Sequence, residues 1–292
     1  MLLSSTTEVL SMTHSPEESV KTLADAGYKA FDLTLCGANS VRRLSDSEDW
    51  KEKAVSLRKY ADGLGIICNQ AHAFFPSSTG DPEKDAEIYQ KIVRDMEIAS
   101  IMGAKIIVVH PKQHLEYAEN DEELFQMNME FYRSLIPYCE KFGIKVGVEN
   151  MFQWNNKLNG AADSTCSRVK EMCRYIDTLD SEWMVACLDI GHVNLIDTDM
   201  FEFMRTLGGE RLGCLHVHDN DGKGDNHTLP FTRSIDYNKV METLAEIGYK
   251  GDLTYEADNF LKGFPDDFRP TAAGFMRQVG DYLVDKFNQH KK

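Results

Sequence analysis

The sequence predicts a single (β/α)₈ TIM barrel over residues 1–292, and three observations support this fold class. Eight short apolar runs, beginning near residues 2, 28, 66, 105, 145, 184, 212 and 252, alternate with stretches of helical periodicity. The repeating unit is about 40 residues long, and no linker rich in Pro, Gly or Ser divides the chain. No glycine-rich phosphate loop follows the first run, which disfavours the alternative, an open doubly wound sheet.

The predicted helices begin at residues with clear capping roles. Ser15-Pro16-Glu17-Glu18 supplies a serine N-cap, a proline at the first helical position and a glutamate at the third, and predicts a helix to Ala26. Asp81-Pro82 opens a second helix in the same way. A glycine repeatedly closes a helical pattern just before an apolar run, at Gly27, Gly65, Gly103, Gly143 and Gly248. Pro137 lies inside another helical pattern and predicts a kink or a break there.

Polar residues stand at the ends of six apolar runs. The runs finish on Gln70-Ala71-His72, Val109-His110-Pro111, Val148-Glu149-Asn150, Leu188-Asp189-Ile190-Gly191-His192, Leu215-His216-Val217-His218-Asp219 and Tyr255-Glu256-Ala257-Asp258. A strand buried among helices cannot accommodate an unpaired charge in its middle, so these end residues must meet solvent, a ligand or a metal. Because the carboxyl ends of barrel strands converge on one mouth, the sequence predicts one site.

Four of these residues form a candidate metal centre: Glu149, Asp189, His216 and Glu256. Three acids and an imidazole in one mouth would repel one another or be buried unpaired, unless a divalent cation neutralises the acids. A set rich in oxygen with one imidazole suits Mn²⁺, Zn²⁺, Co²⁺ or Mg²⁺, so a divalent metal ion is the expected cofactor.

A second group surrounds the first and consists of His72, His110, His192, Asp225 and His227. Asp225-Asn226-His227 presents a carboxylate and an imidazole together, which can form a further zinc site. Neutral histidines can equally hydrogen-bond a polyol substrate, and both interpretations stay open. His218 shares a strand face with His216, but its position predicts loop packing more than metal binding.

Composition narrows the class of protein. With 42% hydrophobic and 27% charged residues, the chain is typical of a soluble globular protein, and no apolar run approaches the length of a membrane span. The net charge of −15 disfavours nucleic acid as a partner. No secretory signal is recognisable and the cysteine count, seven, is odd, so we expect a cytoplasmic, reduced protein. Cys187 and Cys214 are expected to pack as small hydrophobic residues inside strands.

Taken in order, these motifs, with Ser234-Ile235-Asp236-Tyr237, resemble those of the xylose-isomerase-like barrel superfamily over essentially the whole chain. That superfamily contains sugar and sugar-phosphate isomerases, keto-sugar 3-epimerases and nucleases of the endonuclease IV type. The resemblance to the epimerases implies that Glu149, Asp189, His216 and Glu256 hold the metal, and that the two glutamates work on opposite faces of the sugar. In the nuclease, three zinc ions use nine positions, all matched here by His72, His110, Glu149, Asp189, His192, His216, Asp225, His227 and Glu256.

The loops favour the isomerase class. A nuclease needs cations that grip phosphates, yet residues 151–165 and 220–233 hold only Lys157, Lys223 and Arg233, which nearby aspartates offset. Leu229-Pro230-Phe231 also stands where the nuclease has Gly-x-Gly. We therefore expect a metal-dependent sugar or sugar-phosphate isomerase or epimerase that abstracts a proton next to a carbonyl, with Glu149 and Glu256 catalytic. An endonuclease IV-like zinc phosphodiesterase, a keto-sugar lyase and a non-catalytic sugar-binding barrel are the alternatives.

Weaker candidates for substrate contacts follow from residue type alone. Lys112, Lys223 and Arg233 could bind a phosphate group, and Trp154 could form an apolar wall with Phe74 and Phe75. The expected partner is a small carbohydrate, with no membrane partner. Barrels of this superfamily often pair through their helices, which leaves a homo-oligomer open.

Overall fold

Eight parallel strands form the barrel in the computed structural model, which describes residues 1–36, 44–157 and 159–291. They are β1 (Leu3–Ser5), β2 (Ala30–Thr34), β3 (Ile67–His72), β4 (Ile106–Val109), β5 (Lys145–Glu149), β8 (Met184–Asp189), β9 (Leu212–His216) and β10 (Leu253–Tyr255). Strands β2-β3-β4-β5-β8-β9 form one sheet, and β1 pairs with β10. Single parallel bridges, Thr6 to Asp32 and Val217 to Tyr255, join the two sheets into a ring. The predicted barrel and its strand starts are confirmed to within two residues.

An antiparallel hairpin, β6 (Phe152–Asn155) and β7 (Gly160–Asp163), interrupts the β/α alternation after β5. Residues 151–165, which the sequence indicated only as a loop after the fifth strand, therefore contain a regular hairpin. Its second strand reads Gly-Ala-Ala-Asp, which lacks the β-branched residues and the alternation that mark a strand. The hairpin stands beside the barrel mouth, because it follows the carboxyl end of β5 directly.

Helices surround the strands: α1 (Glu8–Ser11), α2 (Pro16–Asp25), α3 (Trp50–Leu64), α4 (Pro82–Met102), α5 (Tyr117–Phe142), α6 (Val169–Leu179), α7 (Ile190–Leu195), α8 (Met200–Arg211), α9 (Tyr237–Glu246), α10 (Asp258–Lys262) and α11 (Arg269–His290). A 3₁₀ turn spans Leu44–Asp46. The predicted capping box of α2 is confirmed, since Ser15 Oγ accepts from Glu18 N and the Glu18 carboxylate accepts from Ser15 N. Asp81 likewise caps α4, and the five predicted glycines all have positive φ.

Pro137 was predicted to kink or break the helix, and the break is wrong because α5 continues through it to Phe142. The non-helical residue of α5 is Asn120, near its start. Leu135 and Cys139, on either side of the proline, are both fully buried against the rest of the protein. Tertiary packing therefore outweighs the hydrogen bond that proline cannot make.

Beneath the mouth, a small apolar layer is formed by Val108, Cys187 and Cys214 with Ile106. Cys187 and Cys214 stand two residues before Asp189 and His216, so each shares a strand face with a site residue. The expectation that both thiols pack as small hydrophobic groups is confirmed, and all seven cysteines are free. This apolar layer lies beneath the site, so the polar side chains of the site are found only at the carboxyl ends of the strands.

Across the described residues, we find no helix whose length and apolar character would suit a membrane crossing.

Candidate active site

The mouth of the barrel holds a cavity of about 520 Å³ at the carboxyl ends of the strands. Seven of the nine predicted ligand residues line it: His72, His110, Glu149, His192, Asp225, His227 and Glu256. The other two, Asp189 and His216, are buried to 1% exposure or less and lie directly behind this lining. The structure thus brings all nine residues together, although they come from distant parts of the sequence.

The predicted four-residue metal centre is compact. One potential ligand atom from each of Glu149, Asp189, His216 and Glu256 lies within 4.8 Å of the others. His216 Nδ1 lies 2.9 Å from Glu149 Oε1 and 3.3 Å from Glu256 Oε2, so one imidazole stands between two glutamates. A single imidazole cannot neutralise three acids, and this shortage of positive charge favours a divalent cation.

Burial and neighbouring charges shift the pKa values of Glu149 and Glu256 in opposite directions. Burial opposes ionisation of Glu149, but the His216 and His110 imidazoles outweigh it and hold the pKa of Glu149 well below its usual range. Burial raises the pKa of Glu256 well above its usual range, despite His216 and His227 nearby. The protein alone therefore cannot keep every carboxylate of this group charged and paired.

Unpartnered buried atoms give a direct test of whether a cation fits. Asp189 Oδ2 and His216 Nε2 are buried and have no hydrogen-bond partner among the described residues. Leaving such a group unsatisfied costs about 1–3 kcal/mol each. Both atoms belong to residues of the four-residue centre, where a bound cation is the kind of partner that such groups lack. The residues present therefore fit a divalent cation.

Backbone groups position the ligands. Asp189 ends β8 and also caps α7, where its Oδ1 accepts from His192 N at 2.7 Å. This cap turns the chain back over the mouth, which explains why the histidine follows the aspartate by three residues. Asn150 holds Asp189 in turn, accepting from its N–H at 2.7 Å and donating to its carbonyl at 3.0 Å.

The five outer residues form two subgroups. On one side, His72 Nε2 lies 3.2 Å from His110 Nε2, and His110 Nε2 lies 3.1 Å from Glu149 Oε2. On the other, His227 Nε2 lies 2.8 Å from Asp225 Oδ2, and His192 Nε2 lies 3.9 Å from the same oxygen. Each subgroup has the residue types of a metal site.

His218 contacts the candidate metal ligands more closely than its predicted loop position suggested. Predicted as loop packing, it is fully buried within the second outer subgroup, where its Nε2 lies 3.1 Å from Asp189 Oδ1. Its ring stacks on that of His227 at 4.0 Å between centroids. The available signal was its place two residues after His216, which directs both side chains to one face.

The weaker substrate candidates Lys112, Trp154, Lys223 and Arg233 are not among the residues that line the cavity. The Lys112 ammonium lies 5.3 Å from the Phe131 ring, and Trp154 is half exposed on the hairpin. Lys223 and Arg233 are exposed in the loop after β9. They stay predictions, without support from the shape of this cavity.

Aromatic and polar groups complete the lining, and most of them were not singled out from the sequence. Phe75, a predicted wall residue, contacts His110 with 4.5 Å between ring centroids, and Phe152 contacts His192 at 5.0 Å. Phe152 was missed because it opens the unpredicted hairpin. Glu8, Cys36 and Gln113 add polar groups near the rim. The cavity therefore combines an apolar wall with a cluster of polar side chains, as small-molecule sites do.

Curated relatives cover most of the chain. It is 30% identical over 263 residues to an uncharacterized protein of Methanocaldococcus jannaschii, covering 86% of this chain and 83% of the relative. It is 23% identical over 239 residues to D-psicose 3-epimerase of Enterocloster bolteae, covering 79% and 72%. It is 24% identical over 213 residues to a probable endonuclease 4 of Shouchella clausii, covering 70% and 69%.

Solved structures share the fold at low identity. A D-tagatose 3-epimerase-like protein superposes with a TM-score of 0.77 at 21% identity, covering 99% of both chains. The IOLI protein with a bound zinc atom gives 0.74 at 18% identity, again covering 99% of both. The model of the xylose isomerase-like TIM barrel family matches residues 20–278. With its barrel, mouth and match across most of its length, the chain belongs to the xylose isomerase-like TIM barrel family.

Proposed function

We propose that this protein is a divalent-metal-dependent isomerase or epimerase of a sugar or sugar phosphate. The observation that carries the proposal is the pair of glutamates, Glu149 and Glu256, on either side of His216 Nδ1 in a cavity of small-molecule size. Two carboxylates from different strands can reach a bound substrate from different directions. The epimerases among its relatives and structural neighbours support a carbohydrate substrate.

Glu149, Asp189, His216 and Glu256 would hold the cation. When bound, it would supply Lewis-acid stabilisation of the negative charge that develops on the substrate's oxygens during enolisation. Mn²⁺, Mg²⁺, Co²⁺ and Zn²⁺ are all compatible with this donor set.

The two glutamates would move the proton. One carboxylate accepts the proton from the carbon next to the carbonyl, which leaves an enediolate. The other returns a proton to the opposite face of that carbon in an epimerase, or to the neighbouring carbon in an isomerase. His192 would hold a substrate oxygen, while Phe75 and Phe152 pack against the apolar face of the sugar and exclude water.

The test is solvent-proton exchange at carbon. Purified protein loaded with Mn²⁺ or Co²⁺ is incubated in D₂O with a panel of keto- and aldo-sugars and their phosphates, and deuterium incorporation is followed by NMR. Glu149→Gln and Glu256→Gln should each lower exchange roughly 10²- to 10⁴-fold. Glu130→Gln, an exposed glutamate of α5, is the matched control. Unchanged exchange in both active-site variants would contradict the proposal.

The same assay separates the related alternatives. A lyase would release an eliminated product after exchange, and a binder would retain sugar without exchange. The nuclease alternative has specific support in the two outer subgroups, whose positions match those of the three-zinc resemblance. Cleavage of duplex DNA at an abasic site by the zinc-loaded protein, lost in Glu149→Gln, would favour that alternative over the isomerase.

A further inference from the structure

We infer that the amino ends of the barrel strands form a second binding site, which takes a small organic monoanion with an apolar body. A cavity of about 570 Å³ lies at this end of the barrel, opposite the mouth, and is called the amino-end cavity below. Residues in or just before seven of the eight strands line it, including Leu2, Asn69, Lys105, Lys145, Val185, Leu212 and Asp252. Its volume suits a small molecule, whereas side chains usually fill the interior of such a barrel.

The apolar layer beneath the mouth separates the amino-end cavity from the candidate active site. Ile106 and Cys214 belong to that layer and also line the amino-end cavity. Among the described residues, none lines both cavities. A ligand at the amino ends would therefore not contact the residues that the proposed function requires.

Lys145 is directed into the barrel at this end. It precedes Glu149 by four residues in β5, and residues four apart in a strand share a face. Because Glu149 lines the mouth, Lys145 lies inside the barrel wall at the opposite end, where it is half-buried. Its ammonium forms no ion pair or hydrogen bond with another described residue. A charge in such a position needs water or an anion beside it.

Two further lysines, Lys105 and Lys250, are exposed at the rim of the amino-end cavity. The N–H of Lys145 donates to the carbonyl of Lys105 at 3.0 Å, so these two lysines come from neighbouring strands and their charges repel. Neither Lys105 nor Lys250 pairs with a carboxylate within the part of the chain that the structure describes. An anion bound between the lysines would relieve the repulsion.

Two carboxylates also line the amino-end cavity, and one of them already has hydrogen-bond partners. Asp252 Oδ1 accepts from Leu2 N at 2.8 Å, and its Oδ2 accepts from Asn69 Nδ2 at 3.0 Å. Glu210 is exposed near the end of α8. Three lysines against two carboxylates leave an excess of one positive charge, in a chain whose net charge is −15. This local excess complements a ligand with a single negative charge.

Apolar side chains of the amino-end cavity offer a surface for the body of the ligand. Ile67 is 47% exposed and Leu2 is 38% exposed, and both line the cavity. Trp183, which is half-buried, and Val185 add apolar surface at the start of β8. An apolar group that covers these side chains would remove them from water, and this burial would add to the affinity that the lysines provide.

Two dyes with the same aromatic body test the charge and the apolar surface separately. Anilinonaphthalene sulfonate carries one negative charge, and phenylnaphthylamine is its neutral counterpart. In fluorescence titrations of the full-length protein, the anionic dye should saturate a single site and bind more tightly than the neutral dye. Lys145→Met should weaken binding of the anionic dye roughly 10- to 100-fold and leave the neutral dye unchanged. Lys170→Met, at an exposed lysine near the start of α6, is the matched control and should affect neither dye.

The apolar part of the site is tested by Ile67→Ser, which keeps every lysine and should weaken both dyes. Lys105→Met, at an exposed position, repeats the test of charge if Lys145→Met does not fold. Equal affinity of the wild type for the two dyes would overturn the proposal, and so would equal affinity of wild type and the lysine variants for the anionic dye. EDTA should change neither titration, and dye binding that follows the metal content of the mouth would also overturn it. None of these results affects the proposed function, which is tested by proton exchange at the other end of the barrel.

Discussion

Single residues set the acidity of groups well away from the mouth, and Glu171 of α6 is the clearest case. Its Oε2 accepts from Tyr117 Oη at 2.9 Å and from Cys166 N at 2.8 Å, linking α5 and the end of the hairpin segment to α6. Burial raises the pKa of Glu171 to about 7, although both donors and Arg174 favour the ionised form. Desolvation is the stronger effect at this carboxyl.

Because of Glu171, the free energy of unfolding should decrease as the pH rises. Its pKa is about 7 in the folded protein against an ordinary 4.5, so between these values the folded state holds a proton that the unfolded chain releases. Glu171→Gln removes this linkage and should gain stability relative to wild type between pH 5 and pH 8. Urea unfolding at both pH values measures the difference, with Glu130→Gln as control. Parallel pH dependences for wild type and Glu171→Gln would contradict the expectation.

Individual site residues were predicted from two properties of the sequence, the chemical type of a residue and its position at the end of a strand. Asp189 and His216 were predictable because an acid or an imidazole that ends a buried apolar run needs a polar partner there. His218 was not predicted at the site, because its burial beside Asp225 depends on the empty space at Gly191 and on the fold of the Asp225 loop. Phe152 was missed for a similar reason, since only the hairpin directs it at His192.

Among the elements, the hairpin β6–β7 is an addition to the predicted barrel order, and Gln153 fixes it in place. Gln153 Oε1 accepts from Tyr117 N at 3.0 Å, and its Nε2 donates to the carbonyls of Gln113 and Leu115 at 3.2 and 2.8 Å. One side chain thus joins the hairpin to the loop after β4. Gln113 also lines the cavity, so this contact helps to shape the mouth.

Gln153→Ala should loosen both segments without unfolding the barrel. Three backbone groups lose a partner, a local cost of about 1–3 kcal/mol. Hydrogen exchange measured by mass spectrometry should speed up in peptides covering residues 111–117 and 151–165, while the barrel strands stay protected. Gln126→Ala, on the exposed face of α5, is the matched control and loses one bond to Glu122. Equal exchange in Gln153→Ala and wild type would show that Gln153 does not hold the hairpin.

Elements whose signals are local were predictable, and those that depend on packing were not. The capping box at Ser15 and the glycine after each helix are set within a few residues, and both are confirmed. The continuity of α5 through Pro137 and the pairing of the hairpin depend on distant contacts. Local sequence patterns do not indicate such tertiary contacts between residues that are distant along the chain.

Across the whole molecule, the fold gathers acids of a chain with net charge −15 into one mouth. Glu149, Asp189, Asp225 and Glu256 come from four separate parts of the barrel wall, and each is wholly or mostly buried. The unfolded chain would hold these groups far apart in water, where they repel weakly. Folding therefore creates the repulsion, and an ion that binds only the folded state would relieve it.

Metal removal should consequently lower the thermal stability of the entire barrel. An ion present at 100 times its dissociation constant stabilises the folded state by about 2.7 kcal/mol, which corresponds to roughly 4 to 5 °C for a chain of 292 residues. Calorimetry of the protein in EDTA, and again after adding Mn²⁺ or Zn²⁺ in excess, measures the shift. Glu149→Gln should unfold with a smaller metal-dependent shift, because it removes one ligand and one source of repulsion together.

Mn²⁺ and Zn²⁺ should raise the melting temperature additively if the outer residues bind a second ion. Mn²⁺ added to the chelated protein would restore part of the melting temperature through the four-residue centre, and Zn²⁺ added afterwards would raise it further through the outer subgroup of His192, Asp225 and His227. In Glu149→Gln the zinc increment should persist while the manganese increment shrinks, since Glu149 belongs to the four-residue centre and not to the subgroup of Asp225 and His227. A melting temperature that neither EDTA nor either metal changes would mean that the acids of the mouth are stabilised without a cation.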